Sequence, residues 1–213
     1  MRLQPIYDIA ALCAAKGITQ VILCPGSRCA PLTLAFARHP AIHTRTVFDE
    51  RSAAFIALGM AQQLQQPVVL VCTSGTAAAN FGPAVAEAFF QQIPLVIFTA
   101  DRPAEWIGQY DGQTIYQSGL YQQHVKHAYS LPQEYDHPDS KWVINRTVNE
   151  AINLAASGPR GPVHINVPLR EPLYPAHGEN ITFDEKPRVI EETSPAYELD
   201  YSIKQDIQNR LKN

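Results

Sequence analysis

The feature that most constrains this chain is a set of short, continuous apolar runs: "QVILC" (20–24), "PVVLVC" (67–72), "PLVIFTA" (94–100) and "VHINVP" (163–168). Strands with one wet face alternate apolar and polar residues. Strands covered by helices on both faces are apolar throughout, and most sheets of that kind are parallel. Between the runs lie segments of helical periodicity: Gln4–Lys16, Ala30–Arg38, Arg51–Gln65, Ala77–Gln91 and Lys141–Ala156. Gly17 can close the first helix in the left-handed conformation. "HTRTVF" (43–48) and "AYSLP" (128–132) supply two further short strands, and "SGPRGP" stops the last of these helices. Repeated β–α units predict an α/β fold, a doubly wound and mostly parallel sheet with helices on both faces. No G-x-G-x-x-G follows any strand, so the dinucleotide fingerprint is missing.

With 213 residues the chain can bury one substantial core. Its net charge of −3 offers no basic excess for a polyanion, which argues against nucleic acid as a partner. No apolar run nears the roughly 20 residues that cross a bilayer, so no membrane insertion is expected and a cytoplasmic location is. The N-terminal stretch, with Asp8 among periodic apolar residues, reads as an amphipathic helix rather than a leader. Cys13, Cys24, Cys29 and Cys72 form no C-x-x-C pair and read as buried free thiols. His124 and His127 lack a third ligand, so no metal site is expected within the chain.

After Pro168 the periodicity ends. Residues 175–200 read as a linker or wrapping arm, and 201–213 begin a helical pattern that reads as the start of a following domain. That division leaves 1–174 as the folded domain and the whole as a piece of something longer.

In doubly wound sheets ligands collect beyond the carboxyl ends of the strands. Four loops qualify: "PGSR" with Ser27 and Arg28, "FDER" with Glu50, "TSGT" with Ser74, Gly75 and Thr76, and "ADRP" with Arg102. Each has a plain alternative. Asp49 is a good N-cap and Glu50 a typical first-turn acid. "TSGT" could be a turn and cap, or could offer free N–H groups to an anion. Asp101 and Arg102 could be a surface ion pair of little value. The helix after Glu50, "SAAFIALGMA", is apolar nearly all round. It is expected to be buried on every side, with its small residues suited to a subunit interface. A partly desolvated Glu50 at its head would be a candidate acid–base group.

Taken together, "CPGSRCAPLTLA", "FDERSAAFIALGMA", "VCTSGTAAANFGPAVAEA", "TADRPAEW", "GQTI" and "GPVHINVPLREPLY" resemble the N-terminal domain of the 2-succinyl-5-enolpyruvyl-6-hydroxy-3-cyclohexene-1-carboxylate synthases. These are thiamine-diphosphate enzymes of menaquinone synthesis, and the resemblance covers about Pro5 to Tyr174. It implies a domain that binds the aminopyrimidine ring of thiamine diphosphate, with Glu50 as the catalytic carboxyl at ring nitrogen N1′. It further implies that Ser74, Gly75 and Thr76 lie at the cofactor, and that Ser27, Arg28, Arg102 and Gln113 line an isochorismate site. The reaction so implied decarboxylates 2-oxoglutarate and adds the succinyl-semialdehyde unit to isochorismate. Guanidinium forks suit a substrate with two carboxylates. "TSGTA" replaces the "TSGPG" of acetohydroxyacid-type relatives, and Gly112 stands where some members carry Asn. The family's Gly-Asp-Gly motif for diphosphate and Mg²⁺ belongs to a later domain and has no match here. A homo-oligomer whose site is shared between subunits is thereby implied. The alternatives are another thiamine-diphosphate decarboxylase or carboligase, or a non-catalytic ligand-binding or interaction module of the same fold. A reading frame that continues to a Gly-Asp-Gly motif favours the enzyme, and a stop after Asn213 the module.

Overall fold

The computed structural model describes residues 3–193 and 199–212. Among them, six strands form a single all-parallel sheet in the order β2-β1-β3-β4-β6-β5. The strands are β1 (Gln20–Leu23), β2 (His43–Thr46), β3 (Val68–Cys72), β4 (Leu95–Asp101), β5 (Ala128–Ser130) and β6 (Val163–Pro168). β3 is buried at every position, as its unbroken apolar run requires, and β4 is buried throughout as well, including its polar Thr99 and Asp101. The edge strand β2 is largely exposed and carries the polar sequence HTRT, while the other edge strand, β5, is mostly half-buried.

Alternate side chains of the central strands feed two separate cores. Val21, Leu23, Val69, Val71, Val96 and Phe98 join α1 (Gln4–Ala15), α2 (Ala30–Arg38) and α6 (Pro138–Ala156) on one face. Ile22, Val68, Leu70, Cys72, Leu95 and Ile97 join α3 (Glu50–Leu64), α4 (Thr76–Asn80) and α5 (Gly82–Phe90) on the other. The doubly wound expectation holds, with helices on both faces. All four cysteines are buried. Among the described residues no helix is long and apolar enough to cross a membrane.

Three details differ from the sequence reading. The helix expected over 77–91 is two helices, broken at Phe81 where Gly82-Pro83 comes next. Pro83 has no N–H to continue the ladder, so it starts α5 instead. α3 is not buried on every side. Ala53, Ala54, Ala57 and Ala61 press on the sheet and α5, but Phe55 and Ile56 face outward. Its small residues therefore serve close packing inside the chain. α6 begins three residues earlier than expected, because Pro138 fits a first helical turn and the His137 ring accepts a hydrogen bond from the Asp139 N–H.

Beyond β6, the stretch from 175 to 193 holds no helix or strand and runs across α1 and α6. Ile181 and Phe183 pack on the first core. Buried Asn149 donates to the Arg188 carbonyl at 3.0 Å and accepts from the Ile190 N–H at 2.8 Å. Lys16 Nζ donates to the Ile190 carbonyl at 3.0 Å, and the Asp184 N–H donates to Asp8 at 2.9 Å. α7 (Tyr201–Leu211) is capped by Asp200 and buries none of its residues.

Candidate active site

Parallel strands place all the predicted loops at one end of the sheet. Glu50 opens α3, and Asp49 caps it by accepting the Ser52 N–H at 2.7 Å. Both readings of this pair thus share one geometry: Asp49 does the capping, which leaves the Glu50 carboxyl unused by the helix cap. Glu50 is half-buried, and its carboxyl accepts no hydrogen bond among the described residues. It lies close enough to the ends of β1 and β3 for its charge to act on Cys24, Cys29 and Cys72. Burial first, and then the Glu50 charge, push the Cys24 thiol up to about 12. Cys72 and Cys29 shift upward as well, chiefly through burial. These thiols are inert packing groups.

The "TSGT" loop is held from within. Ser74 Oγ donates to the Gln113 carbonyl at 3.1 Å, and the Gly75 N–H donates to Gln117 Oε1 at 2.7 Å. The N–H groups expected to be open to an anion include this occupied one. Gly75 has φ +84°, and a Cβ there would sit 3.0 Å from the Gln113 backbone. Gly is therefore required, both for conformation and for room. Gln113 itself has φ 58°, an uncommon left-handed state that leaves its side chain exposed over the loop. Thr76 starts α4 and is exposed, as is Ser27. Gly26 meets Thr73 closely enough that an added Cβ would lie 2.5 Å from the Thr73 Cβ, which locks the first loop to the third.

Arg28 and Arg102 come together in a cavity of about 260 Å³ with Pro103, Trp106, Asp111, Arg170 and Glu171. Arg28 is only 9% exposed; Nη1 donates to the Leu169 carbonyl at 2.8 Å, and Nη2 is 3.4 Å from Glu171. Burial, and next the neighbouring Arg102 charge, lower its pKa. A guanidinium nevertheless remains charged. Arg102 donates to the Gly112 carbonyl at 2.9 Å and pairs with Asp111 at 3.2 Å. The plain alternative for Asp101 and Arg102, a surface ion pair with each other, is not what the structure shows. Asp101 is fully buried, accepting from Asn166 Nδ2 and the Arg102 N–H, both at 2.8 Å, and burial raises its pKa.

Sequence reasoning missed the network beneath these loops. Gln117 Nε2 donates to Asn166 Oδ1 at 3.1 Å and to the Ala100 carbonyl at 3.0 Å, while its oxygen holds Gly75. Thr99 Oγ1 donates to Asn166 Oδ1 at 3.0 Å and contacts His164 Nε2 at 2.7 Å. A hydroxyl has a single proton, so His164 must be the donor to Thr99, which assigns the Nε2–H tautomer. Asn166 and His164 sat within "VHINVP" and Gln117 just beyond "GQTI", polar residues inside or beside apolar runs. That contradiction of pattern was the available signal. Arg170 was also missed. It closes the cavity wall, tied to Glu105 at 2.5 Å and Glu134 at 3.3 Å. A larger groove of about 650 Å³ lies between α6, β5 and residues 188–192, and contains none of the predicted site residues. Among the described residues no cluster of three or more His, Cys, Asp or Glu side chains is placed to hold a metal ion.

A carboxyl at a helix head thus stands over the strand ends, beside a glycine-dependent loop. Residues 7–124 match the family described as thiamine pyrophosphate enzyme, N-terminal TPP binding domain. The chain belongs to this thiamine pyrophosphate enzyme family. Several curated proteins are similar to it, and those described next are all named 2-succinyl-5-enolpyruvyl-6-hydroxy-3-cyclohexene-1-carboxylate synthase. The one from Cytophaga hutchinsonii is 50% identical over 209 residues, covering 98% of this chain and 37% of its own length. That of Desulfotalea psychrophila is 49% identical over 171 residues, 80% of this chain and 32% of its own. That of Porphyromonas gingivalis is 51% identical over 175 residues, 82% of this chain and 30% of its own. The chain thus spans about a third of the length of these relatives.

Proposed function

We propose that this chain is the pyrimidine-binding part of a cytoplasmic thiamine-diphosphate carboligase, which decarboxylates 2-oxoglutarate and adds the succinyl-semialdehyde unit to isochorismate in menaquinone synthesis. The observation that carries the reading is the meeting of Arg28 and Arg102 in one cavity, in a chain of this family. Of the three guanidiniums in this cavity, Arg170 is held by Glu105 and Glu134, and Arg28 and Arg102 are suited to an anion with two carboxylates; isochorismate is one. The relatives' shared name supports the same choice. Residues 1–174 make the domain, 175–200 the connecting arm, and 201–213 the start of a further domain. Mg²⁺ and the diphosphate would be held by a later domain, and the working unit would be a homo-oligomer.

The residues present fit the cofactor's ring at one point and not at another. Glu50 offers a half-buried carboxyl that no donor among the described residues occupies, close enough to the ends of β1 and β3 for its charge to act on Cys24 and Cys72. In this reading its carboxyl holds or gives up a proton at N1′. Ser74 Oγ and the Gly75 N–H are spent on Gln113 and Gln117, so those two groups fix the loop rather than bind the cofactor. Thiamine diphosphate, when bound, supplies the electron sink for decarboxylation. Arg28 and Arg102 orient the acceptor by its carboxylates, with Ser27 and Gln113 as exposed neutral partners.

Replacing Glu50 by Gln in the complete enzyme separates helix-starting from proton control. Gln keeps the size, and Asp49 still caps the helix. A pure helix-start role predicts a loss of about 0.3–1 kcal/mol in stability. A proton role predicts that exchange of the cofactor's C2 hydrogen slows by about 100- to 10,000-fold. The readout is hydrogen–deuterium exchange followed by NMR after rapid quench, with thermal melts beside it. Near-normal exchange in a folded, loaded variant returns Glu50 to the helix.

A further inference from the structure

Arg28 and Arg102, two of the three guanidiniums that line the cavity, already face carboxylates of this chain that line it too. Glu171 Oε1 stands 3.4 Å from Arg28 Nη2, and Asp111 Oδ2 stands 3.2 Å from Arg102 Nε. Both acids line the same cavity. They come from separate segments, Asp111 from the loop after β4 and Glu171 from the exit of β6. Each arginine also has a carbonyl anchor, Leu169 for Arg28 and Gly112 for Arg102. The anchors hold the arginines; the carboxylates balance charge.

The balance is incomplete. A charge-assisted N–H···O bond runs about 2.7–2.9 Å, so both contacts are long. Glu171 is mostly in solvent, whereas Arg28 is almost wholly buried. Arg28 Nε is buried and has no hydrogen-bond partner among the described residues. A buried donor left unfilled costs free energy that an incoming anion recovers. Arg170 differs: Glu105 and Glu134 both hold it, which makes it a wall of the cavity.

We propose that Asp111 and Glu171 are displaceable counter-carboxylates, and that the cavity selects ligands carrying two carboxylates because only such a ligand replaces both at once. A monocarboxylate releases one arginine and leaves the other pair closed. The natural ligand's identity rests on the isochorismate reading above; the exchange itself rests on the cavity. If the two acids were instead scaffolds for the arginines, their removal would loosen the guanidiniums and weaken ligand binding. The two roles therefore differ in sign.

The test uses the 213-residue chain with Trp142→Phe, which leaves Trp106, on the cavity wall, as the remaining one of two tryptophans. Adipate, a flexible dicarboxylate, and hexanoate, its monocarboxylate counterpart, are titrated by Trp106 emission and by equilibrium dialysis. The buffer holds about 0.5 M NaCl, where the Debye length is about 4 Å and charges not in contact are screened. Adipate is expected to bind more tightly than hexanoate. Glu171→Gln should tighten adipate about two- to fivefold, the range for a partly exposed pair. Asp111→Asn should tighten it at least as much, its pair being better shielded. Unchanged or weaker adipate binding in either variant, equal binding of the two acids, or no adipate binding in any form overturns the proposal. An isochorismate arm separates the two readings. Adipate exchange without isochorismate binding keeps the exchange and removes the proposed substrate. Turnover of isochorismate by the complete enzyme, with adipate exchange failing, does the reverse.

Discussion

His164 is fully buried, stacked edge-on against Tyr121 at 4.8 Å, and its Nε2–H is spent on Thr99. Burial pulls its pKa down to about 4. Between about pH 6.5 and 4 the unfolded chain binds a proton at this residue and the folded chain does not, so stability is lost as pH falls through that window. At 1.36 kcal/mol per unit the full effect is about 3 kcal/mol. Asp101 works in the opposite direction, because burial raises its pKa and the folded state takes its proton first. A variant that leaves Asp101 in place isolates the histidine. His164→Gln keeps a donor for Thr99 and removes the titration. Urea unfolding from pH 7 to pH 4 should show a smaller acid loss in the variant than in the parent, and parallel curves would count against the buried neutral imidazole.

At the scale of elements, α3 divides its labour. Its alanines pack inward, while Phe55 and Ile56 face out, with Phe48 just before it 83% exposed and Phe90 at the end of α5 also exposed. Exposed large apolar groups are ordinary singly, but several on packed neighbouring elements suggest a covered face. Self-association of the chain through this side is the expected outcome, measured by sedimentation at micromolar concentration. Phe55→Glu with Ile56→Lys should shift the population toward monomer without lowering the thermal midpoint, since neither side chain is in the core. A parent protein that sediments as a monomer would remove the expectation.

For the whole molecule, the chain has Glu50 and the paired arginines but no Gly-Asp-Gly sequence. By the proposed division, it holds half of a shared site. Incubated alone with thiamine diphosphate, Mg²⁺, 2-oxoglutarate and isochorismate, it should release no carbon dioxide above background. Turnover at the rate of an ordinary enzyme would overturn the half-site view.

What the sequence determined by itself was the parallel sheet and the end of it that matters. Unbroken apolar runs such as 68–72 have to be covered on both faces, and a parallel sheet sends every β–α loop to one end. Ser27, Arg28, Glu50, Ser74 and Arg102 were legible on those loops for that reason, whereas Gln113 came only from the family resemblance. Local chemistry also sufficed for the Asp49 cap and the left-handed Gly17. Only the tertiary structure decided which side chains meet. Asp101 turned inward to Asn166, and Arg102 turned to Asp111, because a fully buried carboxylate needs donors and the sheet interior supplied them. Gln117 reached Gly75 across 42 residues, and Glu171 reached Arg28 across 143. Pairings of that separation follow from where the chain returns in space, which no local period or spacing encodes.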